Sequence, residues 1–365
     1  MKITLLKKLD QLLGAFLVRF LAAPPAGTIP LGGPLSILLI RPGGIGDAVH
    51  LIPAINSIRE KFPDAAIDLL AEKRNAAIFG LCREIRTTRR YDVPGELVAA
   101  MRSSYDVVID SEQWHRLSAA VARLIGAPVL VGFATNERSR LFNYPVPYSQ
   151  DDYEAASFYR LLQPFGIDTP ADVVFPWLSV PAAAADKVAG LLSGLEANRF
   201  VAVFPGASIP ERRWGMDRFR TLARRLSERS IPVVVIGGRE DAAEGDGIVQ
   251  GLPAISLAGK TSLLETAAVI DRGALLVSGD SGVLHIGVGL GKATVSLFGS
   301  GIAAKWAPRG DNHVVVNKGL SCSPCTRFGY TPTCLNRAKC IAEISPDEVY
   351  SAVISCLARK NSLIV

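Results

Sequence analysis

Short runs that are apolar at every position, not at alternate ones, recur along this chain in two series, and that pattern leaves few folds open. A strand apolar on both faces belongs inside a sheet covered on both sides, the environment of a parallel sheet flanked by helices. In the first series the runs fall at 36–41, 67–70, 107–110 and 129–132, with helical periodicity at 48–61, 96–103 and 116–125. The second series has runs at 200–204, 232–236, 254–257, 274–278 and 293–297. Helical stretches at 216–229, 241–251, 263–271 and 282–290 lie between them. A helix at 153–165, followed by Pro170, Pro176 and Pro181, separates the two series.

The expected fold class is therefore α/β, with two Rossmann-like domains, which a chain of 365 residues has the length to build. The spacing places a helix and linker at 1–34, the first domain at 35–180, the second at 181–345 and a closing helix at 346–365. In open sheets of this kind ligands bind beyond the carboxyl ends of the strands, so the loops there are where chemistry belongs.

Three of those loops stand out. The first runs Arg41-Pro42-Gly43-Gly44-Ile45-Gly46-Asp47-Ala48-Val49-His50. As a dinucleotide fingerprint, Gly44-x-Gly46 would need a small residue at position 49, which is Val49. Asp47 is a carboxylate at a helix start, as suited to a plain cap as to catalysis. The second loop, from Phe204 to Trp214, holds Gly206, Ala207 and Ser208 and then Arg212 and Arg213. Free N–H groups followed by cations make a diphosphate cradle; the plainer alternative is an exposed basic turn anchored by Trp214. The third loop carries Asp280, Ser281 and Gly282 into a helix start, with His285 one turn on. An anion at such a start gains about 0.3–1 kcal/mol from the helix dipole, although a lone His is more often a packed core residue.

Other signals are missing. Gly259-Lys260-Thr261 ends like a P-loop, but position 254, where its first glycine belongs, is Ala254. No Asp-x-Asp pair of the sort that holds a metal on a sugar nucleotide occurs, Asp110-Ser111-Glu112 being the nearest. The net charge of +6 suits an anionic partner. The cations are spread out and no nucleic-acid module occurs, so nucleic acid is not expected.

Four of the six cysteines, Cys322, Cys325, Cys334 and Cys340, crowd into the segment 320–341. That spacing suits a four-thiolate structural site for Zn or Fe, with free thiols or disulfides as the alternative. At the N-terminus Leu5, Leu9, Leu12, Leu13, Phe16 and Phe20 recur at helical spacing opposite Lys7, Lys8, Gln11 and Arg19. The amphipathic helix this implies either packs on protein or docks on a membrane surface. Its apolar run is too short to span a bilayer.

Taken in series, these segments resemble the ADP-heptose heptosyltransferase family of lipopolysaccharide core assembly (glycosyltransferase family 9). The matching motifs begin with Gly46-Asp47-x-x-His50-x-x-Pro53-Ala54 and Pro205-Gly206-Ala207 with Arg212 and Trp214. Leu257-x-Gly259-Lys260-Thr261-Ser262-Leu263, Asp280-Ser281-Gly282-x-x-His285 and Leu297-Phe298-Gly299 follow in order. The resemblance implies a GT-B fold with its two domains facing a central cleft, inversion at the anomeric carbon and no cofactor or metal for catalysis. It implies an ADP-sugar donor, a lipopolysaccharide core or other glycolipid acceptor, and a cytoplasmic enzyme peripheral to the inner membrane.

Carried over by position, Asp47 is the general base, on an acceptor-side loop with Gly44, Gly46 and His50. Arg212 replaces the family's usual Lys beside the donor diphosphate, which Gly206, Ala207, Ser208 and Lys260 also serve. Asp280, Ser281, Gly282 and His285 line the donor phosphates and sugar, and Glu240 bonds the ribose. The cysteine-rich segment is similar to one in heptosyltransferases that modify autotransporter proteins. A protein acceptor, or another nucleotide sugar, is therefore the alternative, and oligomeric state stays open.

Overall fold

A computed structural model describes residues 10–29, 34–170, 175–327 and 330–362, with side chains up to Arg359. The chain divides into two compact units, residues 1–173 and 174–365. The division falls earlier than the expected 180/181 because Trp177 and Leu178 already belong to the second unit. Both donate backbone N–H bonds, at 2.9 and 3.0 Å, to the Gly289 carbonyl.

The first unit is a parallel sheet of β1 (Ser36–Arg41), β2 (Ala66–Ala71), β3 (Thr87–Arg90), β4 (Val107–Asp110), β5 (Val129–Phe133) and β6 (Tyr144–Val146). Its strands lie in the order β3-β2-β1-β4-β5-β6. The second unit has β7 (Val201–Phe204), β8 (Val233–Val235), β9 (Ala254–Ser256), β10 (Leu275–Gly279), β11 (Ala293–Phe298) and β12 (His313–Asn317). Their order is β12-β11-β10-β7-β8-β9, which is the first unit's order read from the other edge. In both, the chain starts at the sheet centre and the fourth strand returns beside the first. That reversal is the switch point where open sheets bind ligands.

Three strands escaped the sequence reading: β3, β6 and β12. Each is a sheet edge, where one side stays in water and an apolar run is not required. β3 is Thr-Thr-Arg-Arg and β6 contains Pro145. The central strands behave as their composition demands: Leu38, Leu39, Val107, Val201 and Val234 are buried. The closing helix, Pro346–Ser362, stays with the second unit, where Val349, Val353 and Cys356 pack with Trp214, Phe219 and β10.

At the N-terminus, Leu5, Leu9, Lys7 and Lys8 lie outside the described residues. From Asp10 a π-helical turn, Asp10–Gly14, leads into the helix Ala15–Phe20. Its inward residues are Asp10, Gly14 and Val18, so the apolar stripe does not face the unit. Leu12, Leu13, Phe16 and Phe20 are 77%, 46%, 54% and 67% exposed. Polar bonds hold the segment instead: Leu117 donates N–H to Asp10 at 2.8 Å, and Arg123 and Arg140 donate to the carbonyls of Ala22 and Arg19. Among the described residues no helix is long and apolar enough to cross a membrane.

Candidate active site

In the first unit the site is built where β1 ends. Gly43 has φ +106°, and a Cβ there would come within 3.0 Å of the Arg41 guanidinium, so the turn needs glycine. Gly44 caps the helix Ile45–Lys61 without a side-chain bond, and Gly46 lies inside that helix. Asp47 is thus in the first helical turn and is not the cap. Its carboxylate sits 3.7 Å from the Arg41 guanidinium and is about a third exposed, whereas Arg41 is buried. His50 is buried on the same helix, edge-on to Tyr153 at 5.5 Å between ring centroids. That place makes it a packing residue of the first unit.

The residues around Asp47 were not legible in sequence. The Arg41 guanidinium donates to the carbonyls of Pro42 and Ser111, both at 2.6 Å, and to Gln113. The same Nη2 that faces Asp47 lies 3.6 Å from the Glu112 carboxylate. Burial opposes the charge of Glu112, but the cations of Arg41, His115 and Arg138 outweigh it and hold its carboxyl below the usual range. Asp110, buried against Arg138, is pushed up by that burial. The acidic pair Asp110 and Glu112 therefore faces two arginines in the interior.

In the second unit the loop after β7 and the loop after β10 meet. Arg212 Nη1 lies 3.1 Å from Asp280 Oδ2. A Cβ at Gly301 would come within 2.0 Å of the Asp280 carboxylate, so the chain leaves room for that side chain there. Ser281 caps the helix Gly282–Gly289: its Oγ accepts from the Leu284 N–H at 3.3 Å and bonds Ser278 Oγ at 2.9 Å. Gly282 and Val283 begin that helix, so their N–H groups lie at its positive end, where no intrahelical partner exists for them. His285 is buried behind them. Burial first, then the Arg212 cation, lowers its pKa to about 4, so the imidazole is neutral at pH 7. Burial raises the Asp280 carboxyl against the pull of Arg212.

The structure thus brings Arg212, Asp280, Ser281, Gly282 and His285 together. Gly206 is buried, while Ala207 and Ser208 rise towards solvent along the same loop. Neighbouring Arg213 bonds Ala207, Asp241 and Glu244, a half-buried network that the sequence did not announce. Trp214 donates Nε1–H to the Ile344 carbonyl at 2.8 Å and is the loop's anchor. Glu240 is exposed on the turn Arg239–Asp241. Lys260 is exposed and donates to the Ser256 carbonyl at 2.9 Å, so its ammonium is turned onto its own loop.

All four clustered cysteines line one cavity of about 160 Å³, together with Glu211 and Ser300. None is in a disulfide. Burial, then the neighbouring thiols, raises Cys325 and Cys340, and the Ala338 N–H points to Cys334 Sγ at 3.3 Å. Among the described residues no group of three or more His, Cys, Asp or Glu forms a ready metal cluster. The four soft donors around one cavity fit a thiophilic metal in chemistry, although not in a finished coordination geometry.

Comparison with known proteins agrees with this arrangement. Residues 95–334 match the model of glycosyltransferase family 9 (heptosyltransferase). Lipopolysaccharide heptosyltransferase 3 of Escherichia coli is 27% identical over 296 residues, 74% of this chain and 85% of its own length. Among solved structures, ADP-heptose lps heptosyltransferase II of E. coli superposes with TM-score 0.74 at 20% identity, covering 90% of this chain and 100% of that one. The iron-containing dodecameric glycosyltransferase TibC of enterotoxigenic E. coli superposes with TM-score 0.56 at 15% identity, over 93% of this chain and 78% of that one. The fold is that of the GT-B heptosyltransferases, and the chain is a glycosyltransferase belonging to family 9, the heptosyltransferase family.

Proposed function

We propose that this enzyme transfers heptose from ADP-heptose to a lipopolysaccharide core acceptor with inversion at the anomeric carbon. The observation that carries the reading is the Arg212–Asp280 pair, 3.1 Å apart at the switch point of the second unit, beside a helix start. In that reading Asp47 takes the proton of an acceptor hydroxyl as its oxygen bonds the anomeric carbon. The bond from that carbon to the diphosphate breaks, and its electron pair leaves with ADP. Arg212 and the N–H groups at Gly282 stabilise the charge that develops on the leaving diphosphate. Gly206, Ala207 and Ser208 supply further N–H groups, Glu240 bonds the ribose from its exposed turn, and Lys260 reaches the donor by leaving the Ser256 carbonyl. Tests with ADP-heptose and a truncated core acceptor should add the mass of one heptose. Absence of transfer across a panel of core acceptors overturns the assignment.

A lipopolysaccharide acceptor is favoured over a protein because the sequence relative acts on lipopolysaccharide by name. An open pocket of the first unit, about 450 Å³ and lined by Lys73, Thr88, Arg89, Arg90 and Glu96, suits an anionic acceptor. The cysteine cavity is proposed to hold a structural Zn or Fe, as the name of TibC suggests for iron. About one metal per chain, lost with thermal stability in Cys325→Ser and Cys340→Ser, supports this; metal-free protein with unchanged melting ends it. The outward stripe of Leu12, Leu13, Phe16 and Phe20, beside exposed Arg19 and Arg140, is proposed to dock on an anionic membrane surface. Substituting Leu13 and Phe16 by Ser should reduce sedimentation with anionic liposomes and leave transfer to a soluble acceptor intact.

A further inference from the structure

We infer that Arg41 is a positioning residue for Asp47: its guanidinium, locked in place by Pro42, Ser111 and Gln113, lies between the carboxylates of Asp47 and Glu112 and fixes where the base points. The inference rests on the reading of Asp47 as general base and adds a positioning residue to it. Arg41 is 1% exposed. Its Nε and Nη1 are engaged by main-chain oxygens at 2.6 Å, Gln113 Oε1 accepts from Nη1 and Nη2 at 3.3 and 3.2 Å, and the guanidinium lies 5.5 Å from the Phe158 ring centroid. A side chain held at so many points cannot follow its partner, so the partner follows it. Nη2 is then left towards Asp47 at 3.7 Å and Glu112 at 3.6 Å.

Arg138 and His115 also act on Glu112 from the side of Asp110 and the following helix, and the groups about Asp47 include a tyrosine and a further glutamate. Tyr148 lies near enough for the Asp47 charge to help hold its phenol well above the ordinary range, after burial and Glu154. That phenol stays protonated and donates to Glu154 at 3.2 Å. Glu154 is buried and also accepts from Gln113, and His50 lies one helical turn beyond Asp47, buried against Tyr153. Arg41 supplies a permanent positive charge beside Asp47 and Glu112, while Arg138, paired with Asp110, acts on Glu112 alone of these two. Without Arg41, crowding by like charges would favour the protonated, unreactive form of Asp47. Glu112 acts in the opposite sense, because it shares the same cation.

Two variants should therefore move Asp47 in opposite directions. The readout is the carboxyl-13C titration of aspartate-labelled protein, with the Asp47 signal assigned by its loss in Asp47→Asn. Arg41→Met should raise the Asp47 midpoint by about one pH unit, and the acid limb of kcat should rise with it. Glu112→Gln should lower the midpoint. Arg41→Lys should keep the midpoint near wild type while kcat stays about tenfold low, since the charge returns without the planar fork. The KM for ADP-heptose should stay unchanged throughout. An unmoved midpoint in folded Arg41→Met overturns the positioning role; if that variant does not fold, an unmoved or raised midpoint in Glu112→Gln does so. Turnover retained in Asp47→Asn overturns the base reading and the positioning role with it. Turnover lost in Asp47→Asn with unmoved midpoints overturns only the positioning role.

Discussion

The two units share a strand order and place the same kind of pair at the same point in it, yet they spend the pair differently. In each, an arginine at or after the first strand reaches a carboxylate after the fourth: Arg41 to Glu112 at 3.6 Å, and Arg212 to Asp280 at 3.1 Å. In the first unit the cation is buried and a second carboxylate, Asp47, completes the group while remaining about a third exposed. In the second unit the arginine keeps more exposure, 19%, and what lies behind the pair is a neutral histidine. One switch point thus presents a partly exposed carboxylate to solvent, and the other presents a cation and a helix start. A shared topology leaves the sign of the site to the loops.

The sharpest way to break this comparison is at the exposed anion. Asp47→Ala should lower kcat by about 10²–10⁴-fold, the usual worth of a general base, with ADP affinity little changed. Steady-state kinetics beside calorimetry separates the two quantities. Near-normal turnover would reduce Asp47 to a helix-dipole residue and leave the first unit without its distinguishing group.

The neutral histidine gives the second test. His285 has a folded pKa of about 4 against 6.5 for the unperturbed ring. Between those values the unfolded chain binds a proton that the folded one does not, so stability rises with pH. The contribution is fully present above pH 6.5 and is lost as pH falls through 4. The shift corresponds to roughly 3 kcal/mol. His313, also lowered to about 4 by burial, adds to the same slope. Denaturant melts of His285→Gln from pH 4 to 7 should show a shallower slope than wild type. Parallel curves would mean that the ring is hydrated and charged in the folded protein.

How much of this was readable beforehand follows from burial. Central strands such as β1 and β10 must be apolar on both faces, so their sequence announces them; β3 and β6, at an edge, carry Arg89, Arg90 and Pro145 and announce nothing. The division is similar for the site. Asp47, Arg212 and Asp280 sit in or beside turns whose glycines and caps are visible, whereas Glu112, Glu154 and Asp241 act through partners distant in sequence. Arg41 carries a signal of its own: a charge closing a fully apolar strand needs a buried partner. Lys260 shows the converse limit, since a motif position does not tell which way a long side chain turns.

The smallest effect expected is the most specific to the second unit. Arg212→Ala should weaken ADP binding by about 10–100-fold, the range for losing charge-assisted hydrogen bonds to a phosphate. Arg212→Lys should cost only a few-fold, because the charge remains and the fork is lost. In the first unit the same exchange at Arg41 removes three fixed contacts, so kcat should fall about tenfold while donor binding holds. The arginine that meets its ligand from an exposed loop tolerates a flexible ammonium, and the one packed beneath its partner does not. Calorimetric ADP affinities that fall as far in Arg212→Lys as in Arg212→Ala would show that the second unit also works by fixed geometry. The difference between the two arginines would then lie in exposure alone.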